Sequence, residues 1–116
     1  MKIKTNALIG RPLDYAVAIA RGGTNLRFDT VATWWITIDG KDRALSRGRS
    51  AAQNFSPSID WAQGGPIIEK EIIELLPMFN PKYWSARVAK KSTWFDGPTP
   101  LIAAMRCYCS FLHPCE

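Results

Sequence analysis

Hydrophobic positions recur along this chain in blocks of different period, and each block predicts an element. Leu13, Ala16, Val17 and Ala20 share one helical face, with Asp14 and Arg21 off it; this is the spacing of an amphipathic helix. Pro12 suits a first helical turn and Gly22-Gly23 a C-terminal stop, which predicts a helix from about Pro12 to Arg21. From Asn25 to Asp39 the chain turns aromatic and β-branched at Phe28, Val31, Trp34, Trp35, Ile36, Thr37 and Ile38. That composition predicts strand, divisible into two short strands near Asp29-Thr30 and closed by the turn pair Asp39-Gly40. Lys41 to Ser58 has no period and reads as a polar, irregular loop. Ile68, Ile72 and Leu75 return to helical spacing. Pro66 fits the first position of that helix and Pro77 ends it. Trp84, Ala86 and Val88 alternate with polar or small neighbours across Tyr83 to Ala89, which predicts a strand with one buried face. Thr99 is a good N-cap before Pro100, and the helix from Pro100 to about Leu112 is apolar almost all round. Such a helix is central and buried.

These elements predict an α+β fold, a small antiparallel sheet of two to four strands packed against about three helices. The length of 116 residues makes residues 1–116 a single domain. So few strands, a Trp-rich stretch and an apolar last helix leave more apolar surface than one small core covers. We therefore expect a homodimer or higher oligomer, with two-fold symmetry as the default.

Composition changes this picture only in part. A hydrophobic share of 47% with 22% charged residues excludes disordered and fibrous classes, and no run approaches the ~18 apolar residues of a membrane span. The net charge of +5 biases encounters toward phosphates, nucleic acid or acidic proteins. Lys41, Arg43, Arg47 and Arg49, opposed only by Asp42, form its densest stretch. The plain reading is a solvated loop; the sharper one is an arm for nucleic acid or a host protein. Met1-Lys2-Ile3-Lys4 leads into Thr5 and Asn6 rather than an apolar signal segment, which predicts a cytoplasmic protein with reduced thiols.

The candidate chemistry lies at two turns. Trp61-Ala62-Gln63-Gly64-Gly65-Pro66 and Trp94-Phe95-Asp96-Gly97-Pro98-Thr99-Pro100 each place a Trp three residues before a Gly and then a Pro-bearing helix start. Helix N-termini present unpaired N–H groups to anions, and glycine lets a ligand approach the backbone. Asp60, Trp61, Gly64, Gly65, Trp94, Gly97, Thr99 and Arg106 are accordingly the candidate ligand-binding residues. Arg106 leans back toward the turn before its own helix; the competing reading pairs it structurally with Asp60, Asp96 or a carbonyl. Nucleotide fingerprints are absent, as is any Ser, His and Asp set, and Asp14, Asp60 and Asp96 have no evident catalytic partner. We expect no enzyme activity and no cofactor. Cys107, Cys109, His113 and Cys115 contain zinc-ligand types. The first two diverge by about 160° on a helix, so no metal site is expected and buried free thiols are the plainer reading.

Three stretches carry a resemblance. They are Met1-Lys2-Ile3-Lys4-Thr5 with Leu13-Asp14-Tyr15-Ala16-Val17-Ala18, then Phe55-Ser56-Pro57-Ser58-Ile59-Asp60-Trp61-Ala62-Gln63-Gly64-Gly65-Pro66-Ile67-Ile68-Glu69, and Gly97-Pro98-Thr99-Pro100-Leu101-Ile102-Ala103-Ala104-Met105-Arg106-Cys107. In this order they resemble the NinX-like family of small phage proteins. The apolar ending Cys109-Ser110-Phe111-Leu112-His113-Pro114-Cys115-Glu116 departs from the polar tail usual there. The resemblance implies a phage or prophage accessory protein in the bacterial host cytoplasm, and it carries no catalytic residues over. By analogy with other small phage proteins, the expected function is binding of a small anionic, nucleotide-like ligand such as a host defence signal. The alternative is a module for nucleic acid or a host protein through the basic segment.

Overall fold

The computed structural model describes residues 7–30, 33–45 and 54–112. Its element order is α1 (Gly10–Ala20), β1 (Thr24–Phe28), β2 (Trp34–Ile38), β3 (Lys41–Ala44), α2 (Trp61–Glu71), β4 (Ile73–Met78), β5 (Tyr83–Val88), β6 (Phe95–Gly97) and α3 (Pro100–Cys107), followed by a π-helical turn over Tyr108–Leu112. The fold is α+β. Each sheet has three antiparallel strands, in the orders β1-β2-β3 and β4-β5-β6. The three helices match expectation, and the strand count differs because there are two small sheets rather than one.

Helix α1 buries Leu13, Ala16 and Val17 and leaves Tyr15 and Ile19 outside, as its period dictates. It stops where Gly22 takes φ +86 and the Gly23 N–H returns to the Ala18 carbonyl at 2.8 Å. A Cβ on Gly23 would lie 2.7 Å from Ile36 Cδ1; glycine there lets α1 and β2 close on each other. The break near Asp29 is real. The Asp29 carboxylate accepts from the Thr33 N–H at 2.9 Å and from the Trp35 indole N–H at 2.8 Å, folding β1 back beside β2. Asp39 and Gly40 both have positive φ, the geometry of a tight primed hairpin. This hairpin corrects the expected loop: Lys41–Ala44 is strand β3, in register against Trp35 to Ile38.

A second correction concerns α2. The helix begins at Trp61, so Gly64-Gly65-Pro66 lies inside it rather than before it. It ends at Glu71, where Ile72 takes a left-handed φ of 54, and residues 73–78 form β4. The run from Ile67 to Leu76 supports both periods. Pairing with β5 decides in favour of strand, and Ile73 and Leu75 then turn toward the core.

Strand β5 faces α3 with Trp84, Ala86 and Val88, as expected. Helix α3 is the central element: Ile102, Ala103, Ala104, Met105 and Cys107 are all buried in one core with Leu13, Val17, Ile36 and Ile73.

Candidate functional site

Of the eight expected ligand residues, Asp60 and Trp61 stand at the start of α2 and Gly97 and Thr99 just before α3, while Gly64 and Gly65 lie inside α2, Trp94 just before β6 and Arg106 in the last turn of α3. Asp60 caps α2. One carboxylate oxygen accepts from the Ala62 N–H at 3.0 Å, the other from the Gln63 amide at 3.1 Å. Gln63 also holds Asn54 and Ser56. Thr99 caps α3, its hydroxyl accepting from the Ile102 N–H at 3.1 Å. Arg106 does lean back as its helix position requires. Its Nη1 donates to the Asp96 carbonyl and its Nε to the Leu8 carbonyl, both at 2.9 Å, which ties the start of the described chain to α3. Burial pushes its pKa down and the Asp96 charge opposes that.

Gly64 and Gly97 are close-packed positions. A Cβ on Gly64 would meet the Pro57 carbonyl at 2.5 Å and Leu101 at 2.6 Å; one on Gly97 would meet the Ala103 N at 2.6 Å. Gly65 faces open space, but it too sits within a helix. Trp94 carries the Arg87 guanidinium over its ring at 4.5 Å. Trp61 is exposed at the first position of α2.

The basic segment divides. Lys41 is exposed at the start of β3. Arg43 donates to the Asn54 carbonyl at 2.7 Å and lies 5.4 Å from the Phe55 ring centre, so it serves the fold. Arg47 and Arg49 lie outside the described residues.

Sequence reasoning missed a groove of about 450 Å³ between α1 and the first sheet, lined by Arg11, Pro12, Tyr15, Leu26, Trp34 and Leu45. Its origin is simple. Ile36 and Ile38 are buried in one core with α1's Leu13 and Val17, while Trp34, on the same side of β2, remains 45% exposed. Tyr15 and Arg11 stand one helical turn apart on α1, the i, i+4 relation that places side chains along one face. Buried Leu45 belongs to the groove's lining. No carboxylate is among these lining residues. Among the described residues, the Arg11 guanidinium has no ion-pair or hydrogen-bond partner, and neither does the Tyr15 hydroxyl or the Trp34 indole N–H. Phe28 packs beside Trp34, with ring centres 4.9 Å apart and the planes tilted by 55°.

A second recess of about 360 Å³, lined by Arg27, Phe28, Asp29, Trp35 and Asp42, is different in kind. There Arg27 pairs with Asp42 at 2.9 Å, Thr37 donates to Asp42 at 3.0 Å and Trp35 donates to Asp29. The Thr37 hydrogen bond, then Arg27, pulls the Asp42 carboxyl below its usual range. The polar groups of this recess satisfy one another, whereas those of the groove face outward.

The remaining reactive side chains are enclosed or committed. Asp14 is buried and accepts from the Ser58 N–H at 2.9 Å. Asp96 accepts from the Ser85 hydroxyl. Cys107 and Cys109 are buried free thiols, and burial pushes Cys107 up to about 11. Among the described residues no group of three or more His, Cys, Asp or Glu is placed to hold a metal ion. Nor is any described helix long and apolar enough to cross a membrane. His113 and Cys115 lie outside the described residues.

Comparison with the curated proteins finds no match. The family model described as Bacteriophage P22, NinX matches residues 4–110, a span that holds α1, both sheets, α2 and all of α3. The match includes the Phe55 to Glu69 and Gly97 to Cys107 motifs and runs over nearly the entire chain, so the protein belongs to the NinX family of phage proteins.

Proposed function

We propose that this phage protein is an accessory factor that acts by binding, without catalysis, and that its ligand is a small anion of nucleotide-like build held in the α1–β2 groove. One observation carries the reading: among its described lining residues the groove combines an unpaired guanidinium, Arg11, with two exposed aromatic rings, Tyr15 and Trp34, and no carboxylate. A cation without a partner in a recess favours a charge-assisted bond to phosphate or carboxylate. Its volume lies within the range typical of small-molecule sites, about 300–1,000 Å³. The carboxylates that could serve as general bases are instead caps, strand contacts or buried ties, which supports binding over chemistry. In a phage accessory protein, such binding would sequester a signal made by the host. The alternative, a basic arm for nucleic acid or a host protein, loses Arg43 to its contacts with Asn54 and Phe55.

Native mass spectrometry of the protein purified from bacteria tests the reading. A small adduct is expected on the wild-type chain and absent from Arg11→Ala. An adduct retained by Arg11→Ala would overturn the assignment to this groove.

A further inference from the structure

Building on that reading, we infer that the ligand is a single purine nucleotide, its base stacked on Trp34 and its phosphate on Arg11, with Phe28 acting as a positioning residue behind the indole. The inference starts from Trp34. A tryptophan that is 45% exposed at the sheet margin ordinarily has rotamer freedom, but here Phe28 packs against it at 4.9 Å with the planes tilted by 55°. Phe28 is paired directly opposite Trp34 across β1 and β2. In an antiparallel ladder such opposed residues place their side chains on the same face, and aromatic pairs there reinforce each other. With Phe28 packed beside it, the indole itself lines the groove, where Tyr15 and Leu26 line the same space. A flat π-system with an apolar underside is the chemistry that stacks there.

Size and charge narrow the class. Among the described lining residues there is one unpaired cation, Arg11, which matches one phosphate group. A polynucleotide would need a track of cations following its backbone, and the described lining offers none. A purine has the larger stacking face of the two base types. Its exocyclic groups and ring nitrogens would meet the Tyr15 hydroxyl, which is able to accept or donate. Stacking in a pre-set geometry also reduces the ordering cost of binding, and this is what Phe28 supplies.

Isothermal titration with three defined probes separates this inference from the reading beneath it: adenosine 5′-monophosphate, ribose 5-phosphate and adenosine. Adenosine 5′-monophosphate is expected to bind at least about tenfold more tightly than either fragment. Trp34→Leu should reduce it to the level of ribose 5-phosphate. Phe28→Ala should weaken it about tenfold while leaving ribose 5-phosphate unchanged. A merely structural Phe28 would instead weaken both probes together, or neither, and that would overturn its positioning role. Ribose 5-phosphate binding as tightly as the nucleotide would overturn the stacked base while leaving an anion site in place. Adenosine binding as tightly as the nucleotide would overturn the anion site itself, and no binding by any probe would overturn both. Melting temperatures of the two variants within a few degrees of wild type show that affinity, not folding, is being read.

Discussion

At the scale of single residues, what separates fold from function in this protein is whether a polar group already has a partner. Asp60, Thr99 and Arg106 looked like ligand contacts because their types and positions suit anions or helix starts. The same suitability for backbone N–H and C=O groups lets the chain use them itself. A capping side chain and a ligand compete for the same unpaired N–H groups, and here the cap is in place. Arg11, Tyr15 and Trp34 gave no such local signal: a lone Arg before Pro12 and an aromatic in a strand are ordinary, and only the tertiary juxtaposition of α1 with β2 makes them a site. Burial sets the behaviour of Cys107 in turn. Its thiol titrates near 9 when unfolded and is pushed up to about 11 in the native state, so the unfolded chain loses its proton first as pH rises. Stability should therefore be unaffected by this group below pH 9 and fall between 9 and 11, by up to about 1.4 kcal/mol per pH unit. Chemical denaturation of wild type and Cys107→Ala across that window checks it: the variant should lack this component of the slope, and parallel slopes would remove Cys107 as its source.

At the scale of elements, the period of the hydrophobic pattern found most of the architecture. It marked α1, the paired β1 and β2, β5 and the buried α3 within a few residues at their ends, and the α+β class followed from their order. It misplaces α2 because Pro66 also suits a helix start. In fact Asp60 caps the helix and Pro66 falls in its second turn, with the loss of one ladder bond. The strand β4 was hidden for a related reason: Ile72-Ile73-Glu74-Leu75-Leu76 satisfies a helical and an alternating pattern alike, and its partner ten residues later decides. Adjacent glycines in α2 offer a direct check on the corrected helix. Gly64→Ala places a methyl against the Pro57 carbonyl and Leu101, and should cost about 1–3 kcal/mol. Gly65→Ala meets nothing within 4 Å and should stabilise by roughly 0.5–1 kcal/mol. Thermal unfolding of the two variants should thus shift in opposite directions; equal shifts would contradict the position of these residues in the helix.

At the scale of the whole molecule, the two sheets have separate tasks. The second sheet, β4-β5-β6, packs on α3 and builds the core that the phage-family motifs run through. The first, β1-β2-β3, contributes Ile36 and Ile38 to the same core as α1, and Trp34 and Leu26 of that sheet line the groove beside Arg11 and Tyr15 of α1. The strand edges are guarded. Asn25 with positive φ interrupts the β1 register, the Phe55 N–H donates to the Ala44 carbonyl beside β3, Pro77 sits in β4, and β6 has three residues. These features blunt edge-to-edge pairing. The self-association that the exposed apolar side chains suggest would therefore run through side chains rather than a shared sheet.

The location of the binding site is the central claim, and titration of adenosine 5′-monophosphate into Arg11→Ala and Arg106→Ala, side by side, tests it most directly. Arg106 holds two backbone carbonyls, so its removal should lower stability by about 1–3 kcal/mol and leave affinity for the nucleotide near wild type, with Arg106→Lys in between in stability. Arg11 has no partner among the described residues, so its removal should leave stability unchanged and weaken binding by tenfold or more, the loss of about 1.5–3 kcal/mol expected for a charge-assisted bond. Binding lost in Arg106→Ala and kept in Arg11→Ala would contradict the account and return the site to the N-terminal end of α3.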